Sequence, residues 1–329
     1  MTERRLPAER GVVGAKPDRG GGAATSSFGL PAGAGDGLPG VPDPLRIGSR
    51  TFTWGVRTYV MGVLNVTPDS FSGDGLLAVA GDPVAAAVHR ARAMAAEGAD
   101  ILDIGGASSR PGHPAIPAAE EAARVVPVIE AVRAALPDMP VSIDTTTPSV
   151  AAAALDAEAD LLNDVWGVAD DDALARLAAR RGVPIVLMHN RAEARYRNLV
   201  AEVVADLQRA LARAQDAGVP WGALIVDPGF GFGKTPEHNL ALLGSLGSLR
   251  LLGRPVLLGT SRKSTLGKLL DLPADQRVEA TGATTALGIA AGADMVRVHD
   301  VRENVRVARV ADAVVRGWRP DGWPGEGGR

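Results

Sequence analysis

The chain has 329 residues, 46% of them hydrophobic, so it can bury one large core. Its 35 Lys and Arg nearly balance 38 Asp and Glu, and without a long basic run a nucleic-acid partner is excluded. The absence of cysteine rules out disulfides and thiolate metal sites and favours a reducing compartment. Because no stretch of about 18 apolar residues and no secretory segment occurs, we expect a cytoplasmic protein without membrane partners.

The two ends of the chain differ in composition from its centre. Residues 1 to 44 are rich in Gly, Ala, Pro and Arg, include the run GGGAATSSFGLPAGAGDG, and show no repeating hydrophobic pattern. Such a segment cannot offset its ordering entropy by burial, so we predict a disordered N-terminal tail. Residues 319 to 329 have the same character and are predicted to form a flexible C-terminal tail. Residues 45 to 318 are predicted to form a single catalytic domain.

A recurring unit fills this central region. An Ala-rich helical stretch ends, a small residue and an Asp turn the chain, and a β-branched run begins, as in AAEGADILDI, LDAEADLLND and IAAGADMVRV. This alternation predicts β-α units with a parallel sheet. Eight candidate strands follow one another, at 59–64, 101–104, 141–143, 161–163, 184–188, 224–226, 255–258 and 295–298. With a helix after each, the fold class is α/β, a (β/α)8 TIM barrel, because closure removes both sheet edges. Residues 46–57 before the first strand are predicted to form a hairpin over the barrel's bottom.

Polar residues follow every predicted strand. In this architecture the active site lies at the carboxyl ends of the strands, so these residues are predicted to converge. An Asp in such a position, taken alone, is more often a helix N-cap than a site residue. The set comprises Asn65, Asp103, Asp144, Asn163, His189, Asp227, residues 261–263, Arg297 and His299.

Two loops indicate what the site binds. The loop NVTPDSFSGDG after the first strand is long, rich in hydroxyl and carboxyl groups, and carries Phe71, which is typical of a loop that closes over substrate. After the seventh strand, GTSRKS places cationic side chains at a helix start in the region where barrels of this type bind phosphate. An anionic, phosphorylated substrate is therefore expected.

One apparent nucleotide motif fails. The run GFGFGKT at 229–235 resembles a P-loop, but that pattern needs glycine at position 228, where the chain has Pro228. We interpret these glycines as residues that let the backbone turn tightly beside a flat ligand.

The motifs resemble the dihydropteroate synthase family over about 270 residues, from roughly Arg57 to Val314. The matching blocks occur in the family's order and at its spacing. They are MGVLNVTPDSFSGDG, GADILDIGGASSRPG, VSIDTT, LLNDV, IVLMHNR, LIVDPGFGFGKTPEHN, PVLLGTSRKS and MVRVHDV. The resemblance implies an enzyme that condenses 6-hydroxymethyl-7,8-dihydropterin diphosphate with 4-aminobenzoate and releases pyrophosphate.

The resemblance also implies roles for individual residues. Asn65 corresponds to a ligand of Mg²⁺, and Arg297 and His299 correspond to a pyrophosphate clamp, which suits guanidinium and imidazole donors. Asp227 and Asn163 match the positions that hydrogen-bond the pterin edge.

The remaining roles concern the reacting side of the pterin and the second substrate. Asp144 and Lys263 are implied as catalytic and pterin-contacting residues, and Met188 and Phe232 as apolar lining of the pocket. The implied 4-aminobenzoate site comprises Ser109, Arg110, Pro111 and Ser264. The second loop has Ala107 and Ser109 where the family more often has Glu and Thr, and in the first loop Gly73 displaces Asp74 by one residue. These differences concern the geometry of the loops and not the chemistry of the site.

In the implied mechanism, electron donation from the pterin expels pyrophosphate and the aromatic amine attacks the cationic methylene. Two other functions stay open: a non-catalytic paralogue that binds pterin or diphosphate, and a methyltransferase from methyltetrahydrofolate to a corrinoid. The methyltransferase would not need the SRKS run or the pair Arg297 and His299. A homodimer is expected because the last helices have apolar outer faces.

Overall fold

The computed structural model describes residues 41–66, 82–107, 116–167 and 172–323. Within them, a two-stranded antiparallel hairpin precedes eight parallel strands. The hairpin strands are Leu45–Ile47 (β1) and Arg50–Phe52 (β2), and the parallel strands are Tyr59–Asn65 (β3), Ile101–Gly105 (β4), Val141–Asp144 (β5), Leu161–Asp164 (β6), Ile185–Met188 (β7), Leu224–Asp227 (β8), Leu257–Leu258 (β9) and Met295–Val298 (β10).

Neighbouring strands pair in the order β8-β7-β6-β5-β4-β3-β10-β9. A parallel bridge between Val226 and Val256 joins the two ends of that order and closes the cylinder. The α-helices of the described residues lie outside it: Pro83–Glu97 (α1), Ala118–Ala135 (α2), Pro148–Asp156 (α3), Ala173–Arg181 (α4), Leu199–Asp216 (α5), Pro236–Gly244 (α6), Ser264–Leu270 (α7), Val278–Ala290 (α8) and Val301–Val315 (α9). Each parallel strand is followed by at least one helix, so the predicted (β/α)8 barrel is confirmed.

The recurring Asp has a structural explanation. Asp100, Asp160 and Asp294 each precede a strand, and each carboxylate accepts a hydrogen bond from the first backbone N–H groups of the neighbouring strand, at 2.8, 2.9 and 3.1 Å. Those N–H groups belong to Val60, Val141 and Val256. A donor at the bottom of β3, of β5 and before β9 is thereby satisfied away from water, which buried backbone requires.

Two apolar layers hold the barrel together. The larger lies between the strands and the helices and contains residues such as Ile104, Ile129 and Leu207. The smaller closes the bottom, where Phe52 and Trp54 of the hairpin segment pack on Tyr59 and the inward side chains of the strands. The predicted hairpin over the bottom is confirmed, and the carboxyl ends of the strands are left to carry polar groups.

The predicted tails are described only in part. Residues 1–40 and 324–329 lie outside the described residues, so the boundaries at 44 and 319 stay predictions. Val41 packs against the bottom layer. In the part of the chain that the structure describes, no helix is both long and apolar enough to span a membrane.

Candidate functional site

Buried polar side chains collect towards the carboxyl ends of four strands of the barrel. Asp103 on β4, Asp144 on β5, Asn163 on β6 and Asp227 on β8 are all buried. Arg297 on β10 contacts this set through a hydrogen bond to Asp144. Charged groups are buried together only where they are paired or used, so the convergence predicted from the strand ends is confirmed for these five residues.

The Arg297 guanidinium links two of the carboxylates. Its Nε lies 2.5 Å from Oδ2 of Asp103, and its Nη2 lies 2.7 Å from Oδ2 of Asp144. The same Asp103 oxygen accepts a hydrogen bond from Nδ2 of Asn163 at 3.0 Å. Asp103 is fully buried, and its carboxylate fixes Asn163 and Arg297 relative to each other. These bonds leave Nη1 of Arg297 without a hydrogen bond to the described residues.

Asp144 has an unusual environment for a carboxylate. Burial raises its pKa to about 7, even though the nearby Arg297 and Lys263 charges oppose that change. The competing possibility was that Asp144 caps the helix that begins at Pro148. The N-cap of α3 is instead Thr147, and Asp144 is not hydrogen-bonded to that helix end. Its hydrogen-bond partner is Arg297, so its placement follows from the site and not from the helix.

Asp227 is held by the loop that follows it. Its Oδ1 accepts a hydrogen bond from the Gly229 N–H at 2.6 Å. Burial raises the pKa of this carboxyl to about 6, against the effect of that N–H and of the Lys263 charge. The second oxygen, Oδ2, faces the Cα of Gly259, where an added Cβ would lie 3.9 Å from it. A carboxylate with one committed oxygen can accept a further donor from a ligand.

An aromatic and aliphatic wall completes the site. Met188, Phe232 and Val165 form a small buried cluster. The ammonium of Lys263 lies over the Phe232 ring, 3.9 Å from its centroid, which is a cation–π arrangement. The predicted apolar positions Met188 and Phe232 therefore lie together, beside one of the two predicted catalytic residues.

The loop after β9 leads into α7 at Ser264, so its two cationic residues precede a helix start as predicted. Arg262, in a left-handed backbone conformation, makes two hydrogen bonds to Asp300, at 3.1 and 2.6 Å. Its guanidinium is therefore engaged by protein. Nδ1 of His299 lies 3.0 Å from the Ser261 hydroxyl, and Ser264 is exposed at the first residue of α7. Lys263 and His299 each adjoin one member of the ion pair between Arg262 and Asp300 in the sequence, and Arg297 lies on the neighbouring strand β10.

His189 is the strand-end residue that does not join the site. Its Nε2 lies 3.1 Å from Oδ2 of Asp206 on α5, and its Nδ1 lies 2.9 Å from the ammonium of Lys234. Burial lowers the pKa of His189 to about 4, so the imidazole is neutral. The strand-end pattern could not separate it from the others, because its partners lie 17 and 45 residues away.

Asn65 ends β3 at the mouth of the barrel. Its Oδ1 and the Cβ of Asp144 both border the space above Gly105, at 3.7 and 3.5 Å from a Cβ placed there. Its side chain makes no hydrogen bond to the described residues. Those residues also contain no cluster of three His, Cys, Asp or Glu that could hold a metal. An amide oxygen alone fits Mg²⁺ that brings phosphate and water ligands of its own, not an all-protein cage.

Other predicted residues lie outside the described residues: Ser109, Arg110 and Pro111 of the second loop, and the first loop from residue 67 onward, including Phe71. Conversely, Asp103 was placed at a strand end by the sequence without a role. Asp103 pairs in register with Ser142 of β5, two residues before Asp144, and Asp144 pairs with Asn163 of β6. The three side chains therefore point to the same, inner face of the barrel.

Comparisons with known proteins identify a family that this chain resembles over most of its length. The family model described as "Pterin binding enzyme" matches residues 61–299. A dihydropteroate synthase of Clostridium beijerinckii is 48% identical over 273 residues, which is 83% of this chain and 100% of that protein.

Solved structures are similar over the same region. A Xanthomonas albilineans dihydropteroate synthase with 4-aminobenzoic acid has a TM-score of 0.78 and 42% identity, covering 85% of this chain and 100% of that one. The enzyme from the same organism in complex with 7,8-dihydropteroate gives a TM-score of 0.75 and 41% identity, covering 84% and 100%.

Proposed function

The chain belongs to the family of pterin-binding enzymes as a dihydropteroate synthase, and from this premise we propose which of its residues carry the reaction. The enzyme condenses 6-hydroxymethyl-7,8-dihydropterin diphosphate with 4-aminobenzoate to give 7,8-dihydropteroate and pyrophosphate. The observation that carries the assignment is the buried set Asp103, Asp144, Asn163, Asp227 and Arg297 at one end of the barrel.

The pterin edge is bound by Asp227 and Asn163. A pterin presents a guanidine-like pair of N–H groups, which a carboxylate matches in geometry and charge. Asp227 has Oδ2 available for this, since its Oδ1 already accepts from Gly229. Met188 and Phe232 supply the apolar contact for the pterin ring, and the ammonium of Lys263 lies over the face of the Phe232 ring.

The reacting carbon would lie beside the ion pair of Asp144 and Arg297, whose two members serve different groups. The C–O bond to the diphosphate breaks with its electron pair leaving on pyrophosphate, and the pterin methylene becomes cationic. Asp144, buried and next to Arg297, stabilises that positive charge. The amine of 4-aminobenzoate then forms the C–N bond and loses a proton. Arg297 and His299 hold the departing pyrophosphate, for which Nη1 of Arg297 is the donor that its two carboxylate partners do not use.

A divalent cation and the second substrate complete the proposal. Asn65 would hold Mg²⁺, which supplies charge neutralisation of the diphosphate when it is bound. We assign Ser264, exposed at the start of α7, to the carboxylate of 4-aminobenzoate, together with Ser109, Arg110 and Pro111. The cysteine-free composition agrees with the reducing cytoplasm that we propose as the location.

A homodimer is proposed from the outer surface of the last helices. Leu287 on α8 and Val310 and Val314 on α9 are 61%, 67% and 79% exposed. The two helices pack against each other, so these apolar side chains belong to one side of the molecule. A second copy of this chain that covered them would remove several apolar side chains from water.

The test of the activity is pyrophosphate release by the purified protein. With both substrates and Mg²⁺ we expect turnover, and with either substrate omitted we expect none. Absence of turnover with intact pterin binding would indicate the silent paralogue. Methyl transfer from methyltetrahydrofolate to a corrinoid, without pyrophosphate release, would identify the methyltransferase.

A further inference from the structure

The loop between β8 and α6, residues 228–235, forms one wall of the pterin pocket and is packed backbone against backbone. Gly229 and Gly233 have φ values of 69° and 55°. A Cβ on Gly229 would lie 1.8 Å from the His189 carbonyl oxygen, and one on Gly233 would lie 2.3 Å from that of Arg191. Phe230 anchors the middle of the loop in the core, and the backbone on either side of it is held by hydrogen bonds.

Asn239 and Tyr196 each make one of these bonds, to the Gly231 N–H and the Gly233 carbonyl, and Lys234 binds two further carbonyls from behind the loop. Its Nζ donates to the carbonyl oxygens of Gly229 and Phe232, each at 3.0 Å, and to Nδ1 of His189 at 2.9 Å. An ammonium has three N–H groups, and each has one close acceptor here. Within the described residues no carboxylate forms an ion pair with it, so Lys234 is committed to the loop and to His189.

His189 passes this contact on to the scaffold. It is neutral, and its Nε2 lies 3.1 Å from Asp206, so Nε2–H donates to that carboxylate while Nδ1 accepts from Lys234. Asp206 is itself anchored by the Arg191 guanidinium at 2.7 Å. The loop is therefore tied through Lys234 and His189 to helix α5.

The two carbonyls that Lys234 binds flank groups that the substrate needs. The Gly229 N–H fixes Oδ1 of Asp227, and the Phe232 ring lies under the Lys263 ammonium. We propose that Lys234 is a positioning residue of the pterin pocket: its ammonium, joined to Asp206 through His189, holds the loop that aligns Asp227 and Phe232. This inference rests on the proposed pterin-binding role of Asp227, and Lys234 itself does not touch the substrate.

The decisive variant is Lys234→Met, which keeps the length of the side chain and removes its donors. Lys268→Met, at an exposed lysine of α7, is the matched control. We expect the KM for the pterin diphosphate to rise about 10-fold or more in Lys234→Met while kcat changes less than about 3-fold, because the loop contributes to binding equally in ground and transition states. The control should match the wild type in both constants. An unchanged pterin KM would overturn the proposal.

Chemical rescue separates positioning from general stability. In Lys234→Ala, added propylammonium can refill the space and donate to the same carbonyls, so it should lower the pterin KM toward the wild-type value. Propanol, which lacks the charge and has fewer donors, should not. Equal effects of the two compounds would contradict the proposal, as would no rescue in a variant whose melting temperature is normal.

The wild-type enzyme provides a measurement that needs no variant. Burial lowers the pKa of Lys234 to about 7, with Asp227 and Asp206 opposing this and Arg191 and Lys263 adding to it. His189, already neutral, does not titrate above pH 6. Loss of the third N–H at high pH should therefore weaken binding of 6-hydroxymethyl-7,8-dihydropterin, which has no diphosphate to titrate. Calorimetry should show the dissociation constant rising between pH 7 and pH 9, and a constant value would refute the role. Wild-type turnover, measured separately, tests the proposed activity.

Discussion

Two buried carboxylates of the site differ in what holds them. Asp144 is bound to the Arg297 guanidinium, whereas Asp227 is bound to the backbone N–H of Gly229. Burial raises the pKa of both, to about 7 for Asp144 and about 6 for Asp227. A difference in partners at similar burial indicates different tasks, which kinetics can separate.

We expect Asp144→Asn to lower kcat by on the order of 100-fold or more, as removal of a preorganised charge does elsewhere, with a small change in the pterin KM. Asp227→Asn should mainly raise the pterin KM, since its contact with the pterin edge exists in ground and transition states alike. The anion of Asp144 is the active form and exists above its pKa, so wild-type kcat should rise with pH through about 7. This rise of kcat with pH should be absent in Asp144→Asn.

Steady-state kinetics from pH 5.5 to 9 with melting curves provide the measurement. A near-normal kcat in a destabilised Asp144→Asn protein would show that the residue is structural. Thr147 is the N-cap of α3, so Asp144→Asn should leave that helix intact.

Site residues that lie at the carboxyl end of a strand were predictable from the sequence, because the position of the strand is enough to place them. Asp144, Asn163 and Asp227 are of this kind. The partners of Arg297 were not predictable, because its bonds to Asp103 and Asp144 span 194 and 153 residues and depend on barrel closure. For the same reason the sequence could not show that Asp300 engages Arg262, or that His189 faces Asp206 on α5.

At the scale of elements, the hairpin segment closes the bottom of the barrel by inserting aromatic side chains. Phe52 is 1% exposed and its ring centroid lies 4.6 Å from that of Tyr59. Phe52→Ala should lower the free energy of unfolding by about 3 to 5 kcal/mol, the usual cost of such a cavity. Since the site is at the opposite end of the strands, kcat of the folded protein should stay within about 2-fold of the wild type.

Chemical denaturation and kinetics of Phe52→Ala check this, with Val56→Ala as control. Val56 follows the hairpin and is 52% exposed, so its truncation should change stability by less than about 0.5 kcal/mol. A large loss of kcat in folded Phe52→Ala would mean that the bottom layer influences the site.

The elements themselves followed from alternating patterns, but two strands begin later than predicted, one of them by a single residue at Ile185. The strand predicted at 255–258 is regular only at Leu257–Leu258. Pro255 has no N–H to donate to a ladder, which explains the short pairing at that position. The hairpin and the helices that follow the eight strands could be predicted from local sequence. The role of the three Asp residues that accept hydrogen bonds from backbone N–H groups of neighbouring strands could be recognised only from the strand register.

At the scale of the whole molecule, the exposed apolar side chains of α8 and α9 are the surface that the single chain leaves uncovered. If a second copy covers them, Leu287→Glu should weaken association by about 100-fold or more, because a buried leucine contributes roughly 1.5 to 3 kcal/mol and the change occurs twice in a symmetric dimer. The melting temperature of the monomer should hardly change.

Sedimentation velocity over a range of concentrations measures this. Leu251→Glu is the control, since Leu251 is 84% exposed on the short helix that follows α6. Dissociation caused by the Leu251 variant and not by the Leu287 variant would place the interface elsewhere. A wild-type protein that is monomeric at all concentrations would contradict the proposed homodimer.

The glycines around the pocket limit how its specificity can be re-engineered. Gly167, Gly229 and Gly233 each face a backbone carbonyl of residues 188–191, with an added Cβ only 2.0, 1.8 and 2.3 Å from the oxygen. Met188 belongs to β7 and the His189 N–H pairs with the Asp227 carbonyl, so these two residues cannot retreat without loss of barrel pairing, and Arg191 is held by Glu202 and Asp206. A variant library aimed at bulkier pterin analogues would therefore have to keep these three positions invariant. Diversity would have to come from side chains that face the ligand, of which Met188, Phe232 and Val165 offer the adjustable volume.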